Sequence, residues 1–109
     1  MDKKKLGKIR RELRDIAKQP HGRASSELEG LAHRLGRKKE DRGKEPTWTR
    51  KLDPALSPPL SIPHHSTDLS VGVCKSVVSA LLDDCDDWEQ HLNSLEQNEA
   101  EDEQQDNDE

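Results

Sequence analysis

The sequence predicts an α+β fold: a small antiparallel sheet of about three strands packed on helices, preceded by an extra helix and followed by a disordered acidic tail. Three observations lead there. Residues 6–17 and 28–35 carry apolar side chains at helical spacing, and residues 73–95 do so over a longer run. Between the second and third of these lie short segments rich in proline, β-branched and aromatic residues, which suit strands. Helical and strand segments segregated along a chain are the pattern of an α+β domain.

In the first helix Leu6, Ile9, Leu13, Ile16 and Ala17 form one stripe, with Lys8, Arg10, Arg11 and Arg14 largely off it. Gln19-Pro20-His21-Gly22 breaks that helix. In the second, Ser26 is a fitting N-cap and Glu29 completes a capping box. Leu28, Leu31, Ala32 and Leu35 form the stripe, and Gly36 supplies a left-handed stop. Residues 36–42 are polar and mostly basic, and Gly43 permits a tight turn. Pro46 to Arg50 reads as a strand, 53–59 as a proline-containing loop, and Leu60-Ser61-Ile62 as a short strand ended by Pro63. Ser70, or Thr67 before it, caps the third and longest helix. Its stripe runs through Val73, Val77, Leu81, Cys85, Trp88, Leu92 and Leu95, widened by Val78 and Leu82. Beyond Leu95 the pattern stops. Residues 96–109 hold eight acids and one apolar residue, Ala100, a composition that reads as disordered. The division is then an N-terminal helical extension (1–22), a core domain (23–95) and an acidic tail (96–109).

Composition bounds what such a chain can be. Its 109 residues make one small domain; 28% are hydrophobic, and Trp48 and Trp88 are the whole aromatic set, so the core is thin. No run approaches the ~18 apolar residues of a membrane-spanning helix. Met1 to Lys5 lacks the apolar stretch of a secretory signal. Cys74 and Cys85 lie eleven residues apart on one helix, ~16 Å of rise, too far for a disulfide. Neither CxxC nor HxxxH spacing occurs, so neither a metal nor another cofactor is expected. The expected location is the cytoplasm. The net charge of −5 hides an asymmetry: residues 1–52 hold 17 of the 18 Lys and Arg against 8 acids, and residues 53–109 hold Lys75 against 15 acids. The first half has the balance of a polyanion binder.

From Ser26 to Leu92 the chain resembles the HicA family of bacterial toxins. Glu27 to Gly36 resembles that family's first core helix and its closing glycine. Arg42-Gly43-Lys44-Glu45 resembles the basic residue and Gly-Ser-His element before its second strand. Leu60 to His65 resembles its third strand, with a Val-Pro-x-His ending. Gly72 to Val78 resembles the Gly-Thr-x-x-x-Ile-Leu opening of its last helix. The resemblance implies a double-stranded-RNA-binding-like fold, metal-independent cleavage of messenger RNA, and a HicB-like antitoxin partner. Leu6 to Ala17 falls outside it. The family's catalytic histidine aligns with Glu45, and the histidine of the strand-end pattern aligns with His65.

These residues define the candidate site. RNA cleavage of this kind needs a base for the 2′-hydroxyl proton and an acid for the leaving 5′-oxygen. Glu45 and His65 are the catalytic candidates, although nearby Arg42, Lys44 and Arg50 work against a basic carboxylate at Glu45. His64 and His65, ahead of a helix start, suit phosphate contact or a turn cap. Arg37, Lys38, Lys39, Arg42, Lys44 and Arg50 are the phosphate-binding candidates, with a solvated face as the plain alternative. Trp48 either stacks on an unpaired base or is buried. Trp88, Leu92 and Leu95 either pack on the first helix or meet a partner or a second copy of the chain. The acidic end is either solubilising or folds back on the basic patch. Two functions follow: an RNA-directed toxin with endoribonuclease activity, or a non-catalytic RNA- or protein-binding module of the same fold.

Overall fold

A computed structural model describes residues 1–40, 47–50, 58–63 and 68–107, the stretch 97–107 as backbone. The elements in order are α1 (Lys3–Lys18), α2 (Ser25–Arg34), β1 (Lys38–Glu40), β2 (Thr47–Thr49), β3 (Leu60–Ser61) and α3 (Val71–Asn107). Among the described residues the architecture is α+β, with three helices and a three-stranded antiparallel sheet in the order β1-β2-β3. Among the described residues no helix is long and apolar enough to cross a membrane.

The stripe of α1 is its buried face: Leu6, Ile9, Leu13 and Ile16 are all in the core. Ala17, one position round the helix, is exposed. Asp2 caps the helix by accepting from the Lys5 backbone N–H at 2.7 Å. This bond, first, and the charge of Lys5 hold the Asp2 carboxyl below its ordinary pKa. The partner of α1 is α3. Lys3 meets Glu96 at 2.8 Å, and Arg10 meets Asp86 and Glu89 at 3.2 and 3.1 Å. Contacts that descend α3 as α1 is climbed make the two helices antiparallel. Cys74, Val77, Val78, Leu81 and Cys85 are the buried face of α3, with Trp88 and Leu92 half-buried.

α2 begins two residues earlier than the capping box predicts. Its N-cap is Ala24, with no side-chain cap bond, and Ser25 is buried within the first turn. The start is set by tertiary anchoring instead: the Leu69 N–H donates to the Arg23 carbonyl at 2.9 Å. The stop at Gly36 is as predicted, with φ +92°. The Gly36 N–H donates to the His33 carbonyl and the Arg37 N–H to the Ala32 carbonyl, both at 3.0 Å, which makes a Schellman motif. The Trp88 indole N–H donates to the Leu35 carbonyl at 2.8 Å, so α3 also helps close α2.

The strands at 47–49 and 60–61 fall within the segments the sequence marks. β1 lies in the basic stretch that carries no apolar alternation. It is a short edge strand with two lysines, a composition that discourages further strand pairing. The register sets Lys39 opposite Trp48 and Trp48 opposite Leu60, on the face turned to the helices. Lys38, Glu40, Thr47, Thr49 and Ser61 share the other face, where the Thr49 hydroxyl donates to Glu40 at 3.1 Å.

Ser70 is the residue at the head of α3, its hydroxyl oxygen accepting from the Val73 N–H at 3.3 Å. The backbone of α3 is helical to Asn107, whereas the sequence pattern predicts an end at Leu95 and disorder beyond. Glu, Gln and Ala are good helix formers, and extending an existing helix needs no new nucleus. An apolar stripe reports where a helix packs, not where it ends.

Candidate nucleic-acid interface

Alternation along the sheet decides which basic residues can meet a ligand. Lys38 pairs with Thr49, so Arg37 and Arg50, one step further along each strand, turn to the same side as Trp48. Both are buried, 2% and 1% exposed. Arg37 makes a two-pronged pair with Asp84 on α3, at 2.6 and 2.9 Å. Its Nη1 also donates to the carbonyls of Trp48 and Pro58 at 2.9 and 3.0 Å. Arg50 lies 3.8 Å from Asp84 and 3.1 Å from Asp87. Two cations and a carboxylate, all buried, thus tie the sheet to the long helix.

This corrects the expectation that Arg37 and Arg50 bind RNA. Their charge is spent inside the protein. Trp48 is also buried, at 7% exposure, so it cannot offer its ring to a base. Its Nε1 has no hydrogen-bond partner among the described residues. Lys38 and Lys39 are exposed and form no salt bridge with a described acid. Arg42, Lys44, Glu45, His64 and His65 lie outside the described residues.

The charge asymmetry of the chain is partly internal. Basic α1 lies along acidic α3 through Lys3 and Arg10, and Arg34 of α2 meets Glu12 of α1 at 2.9 Å. Exposed pairs of this kind are each worth about 0–1 kcal/mol. They nonetheless offset part of the basic charge that an outside polyanion meets, and such a polyanion must compete for the bases they hold.

Clefts border the helices. One, of about 700 Å³, lies between the end of α1 and α2 and mixes Glu12, Asp15 and Glu27 with Lys18, Arg23 and Arg34. Another, of about 590 Å³, is lined by Lys5 and Lys8 of α1, His33 and Arg34 of α2, Gly36 and Trp88, and no described acid lines it. Cys74 and Cys85 are buried and free. Burial raises both thiols, and Cys85 is pushed up to about 11.

Sequence reasoning missed the buried ion network and the basic cleft. A signal for the first was present. Asp84 stands three residues after Leu81 and four before Trp88, on the buried stripe, while Arg50 shares the parity of Trp48. Compared with known proteins, the chain matches no family model, no curated protein and no solved structure.

Proposed function

We propose that this chain is an RNA-binding domain of the HicA-like toxin kind, directed at messenger RNA and neutralised by a HicB-like antitoxin. The observation that carries the reading is the element order α2-β1-β2-β3-α3 around an antiparallel meander, the order of a double-stranded-RNA-binding-like domain. The exposed Lys38 and Lys39 on the edge strand add to it. The RNA backbone runs along these lysines and the adjoining Arg42 and Lys44, each a phosphate contact.

The reaction this reading assigns is metal-independent. Glu45 takes the 2′-hydroxyl proton, the 2′-oxygen attacks phosphorus, and His65 protonates the departing 5′-oxygen. The second reading keeps the fold and binding without cleavage. It is favoured by the inward commitment of Arg37, Arg50 and Trp48, which leaves a smaller basic face. Incubation of the purified chain with messenger RNA in EDTA separates them. Cleavage that disappears in His65→Ala supports the toxin. A gel shift without cleavage supports the module, and neither result refutes both.

A further inference from the structure

Among the described residues, every charged side chain lining the cleft at the C-terminal end of α2 is basic. Lys5 and Lys8 are one turn apart on α1, and both are exposed. Neither forms a salt bridge with a described acid; Asp2, the nearest acid in sequence to Lys5, is engaged with that residue's backbone N–H. Across from them, His33 and Arg34 occupy the last turn of α2. Arg34 meets Glu12 only at the surface, with 44% and 53% of the two side chains exposed, so an incoming anion can compete for it. The C-terminal end of α2 carries partial negative charge, which alone would repel an anion. There the Leu35 carbonyl is already taken by the Trp88 indole, and the two basic side chains offset the rest.

Trp88 gives the cleft a second character. Its N–H is committed to Leu35, so its ring, half-buried and lining the cleft, is an apolar surface among bases. A ring beside cations is the arrangement that accepts an unpaired base and its phosphate together. The cleft is also continuous with the edge strand. Gly36 lines it, and Lys38 opens β1 two residues on, at most ~7 Å away along the backbone.

We infer that this cleft binds single-stranded RNA, with Lys5, Lys8 and Arg34 on phosphate and a base against Trp88. It extends the track that begins at Lys38 and Lys39, and so rests on the RNA-binding reading. The ligand is single-stranded because an indole can stack only on a base that is free of its neighbours. The extension α1 is then part of the binding surface and not only a brace for α3.

The test uses the full chain and a fluorescein-labelled twelve-nucleotide RNA in EDTA, followed by anisotropy from 50 to 200 mM NaCl. Lys5→Gln/Lys8→Gln removes two exposed charges at little cost to the helix. Thermal melts that coincide with wild type establish the fold. If both lysines contact phosphate, the slope of log affinity against log salt becomes shallower by about 1.4, and binding at 50 mM falls roughly tenfold. The Trp88 indole N–H signal also shifts on titration with the RNA while that of buried Trp48 stays put. A slope equal to wild type overturns the inference and leaves the function standing. Failure of wild type to bind RNA at 50 mM removes the functional reading and the inference with it. Poly-glutamate that binds as tightly as RNA, with the same loss in the double variant, reassigns the cleft to an acidic protein segment and overturns the RNA assignment.

Discussion

Removing one carboxylate should test how the sheet is held to the long helix. In Asp84→Ala, Arg37 loses its two-pronged partner at 2.6 and 2.9 Å, and Arg50 loses a buried carboxylate 3.8 Å away while keeping Asp87. Both guanidinium groups stay buried, at 2% and 1% exposure. Stranding buried charge in this way costs about 3–5 kcal/mol. A domain of this size has on the order of 5–15 kcal/mol in total. The loss corresponds to a melting temperature lower by about 12–40 °C, at about 4–8 °C for each kcal/mol. Asp87 is different: its side chain is 48% exposed, so Asp87→Ala should cost about 1 kcal/mol or less. Urea unfolding followed by tryptophan fluorescence measures both, since Trp48 and Trp88 flank the network. Replacing the pair by apolar residues, Arg37→Met with Asp84→Leu, should restore much of what Asp84→Ala loses, because no unpaired carboxylate or Arg37 charge then remains. A loss below about 1 kcal/mol in Asp84→Ala would refute the reasoning, since a buried pair of this geometry cannot be that dispensable.

Other consequences are smaller but as definite. Gly36→Ala should cost about 1–2 kcal/mol in the same urea assay, because φ is +92° there; the ordinary 3.5 Å approach to Trp88 adds little. Leu13→Ala, at a fully buried position between α1 and α3, should cost about 2–5 kcal/mol. Cys85 should resist Ellman's reagent at pH 8 until the protein unfolds, with labelling following global opening in denaturant. Its folded pKa of about 11 lies above that of a free thiol, so the folded state holds a proton the unfolded state gives up. Cys85 therefore contributes stability that is fully present below about pH 8.5 and lost as pH rises towards 11; a stability profile rising over that range would contradict it.

The fold was legible where one physical signal dominated. Leu6, Ile9, Leu13 and Ile16 announce α1 because nothing but burial explains their spacing. Gly36 announces the end of α2 because only glycine takes that backbone angle cheaply. β1 was invisible, since Lys38-Lys39-Glu40 has no apolar face and is held by pairing with β2. The site was misread for a related reason. A charged residue in a basic stretch reads as surface, and only a partner distant in sequence, Asp84 for Arg37, makes its burial affordable. The Ser26 capping box failed similarly, because the contact between Arg23 and Leu69 outweighed a local preference. Charge counted by halves of the chain suggested an open polyanion surface, whereas Lys3, Arg10 and Arg37 answer acids of α3.

The claim that the edge strand binds RNA can be tested directly. Anisotropy of a labelled single-stranded RNA should be measured with wild type and Lys38→Gln/Lys39→Gln, in EDTA, from 50 to 200 mM NaCl. Two lost phosphate contacts predict weaker binding at every salt concentration and a salt slope shallower by about 1.4. Wild-type binding with an affinity and slope that the double variant reproduces would contradict the account.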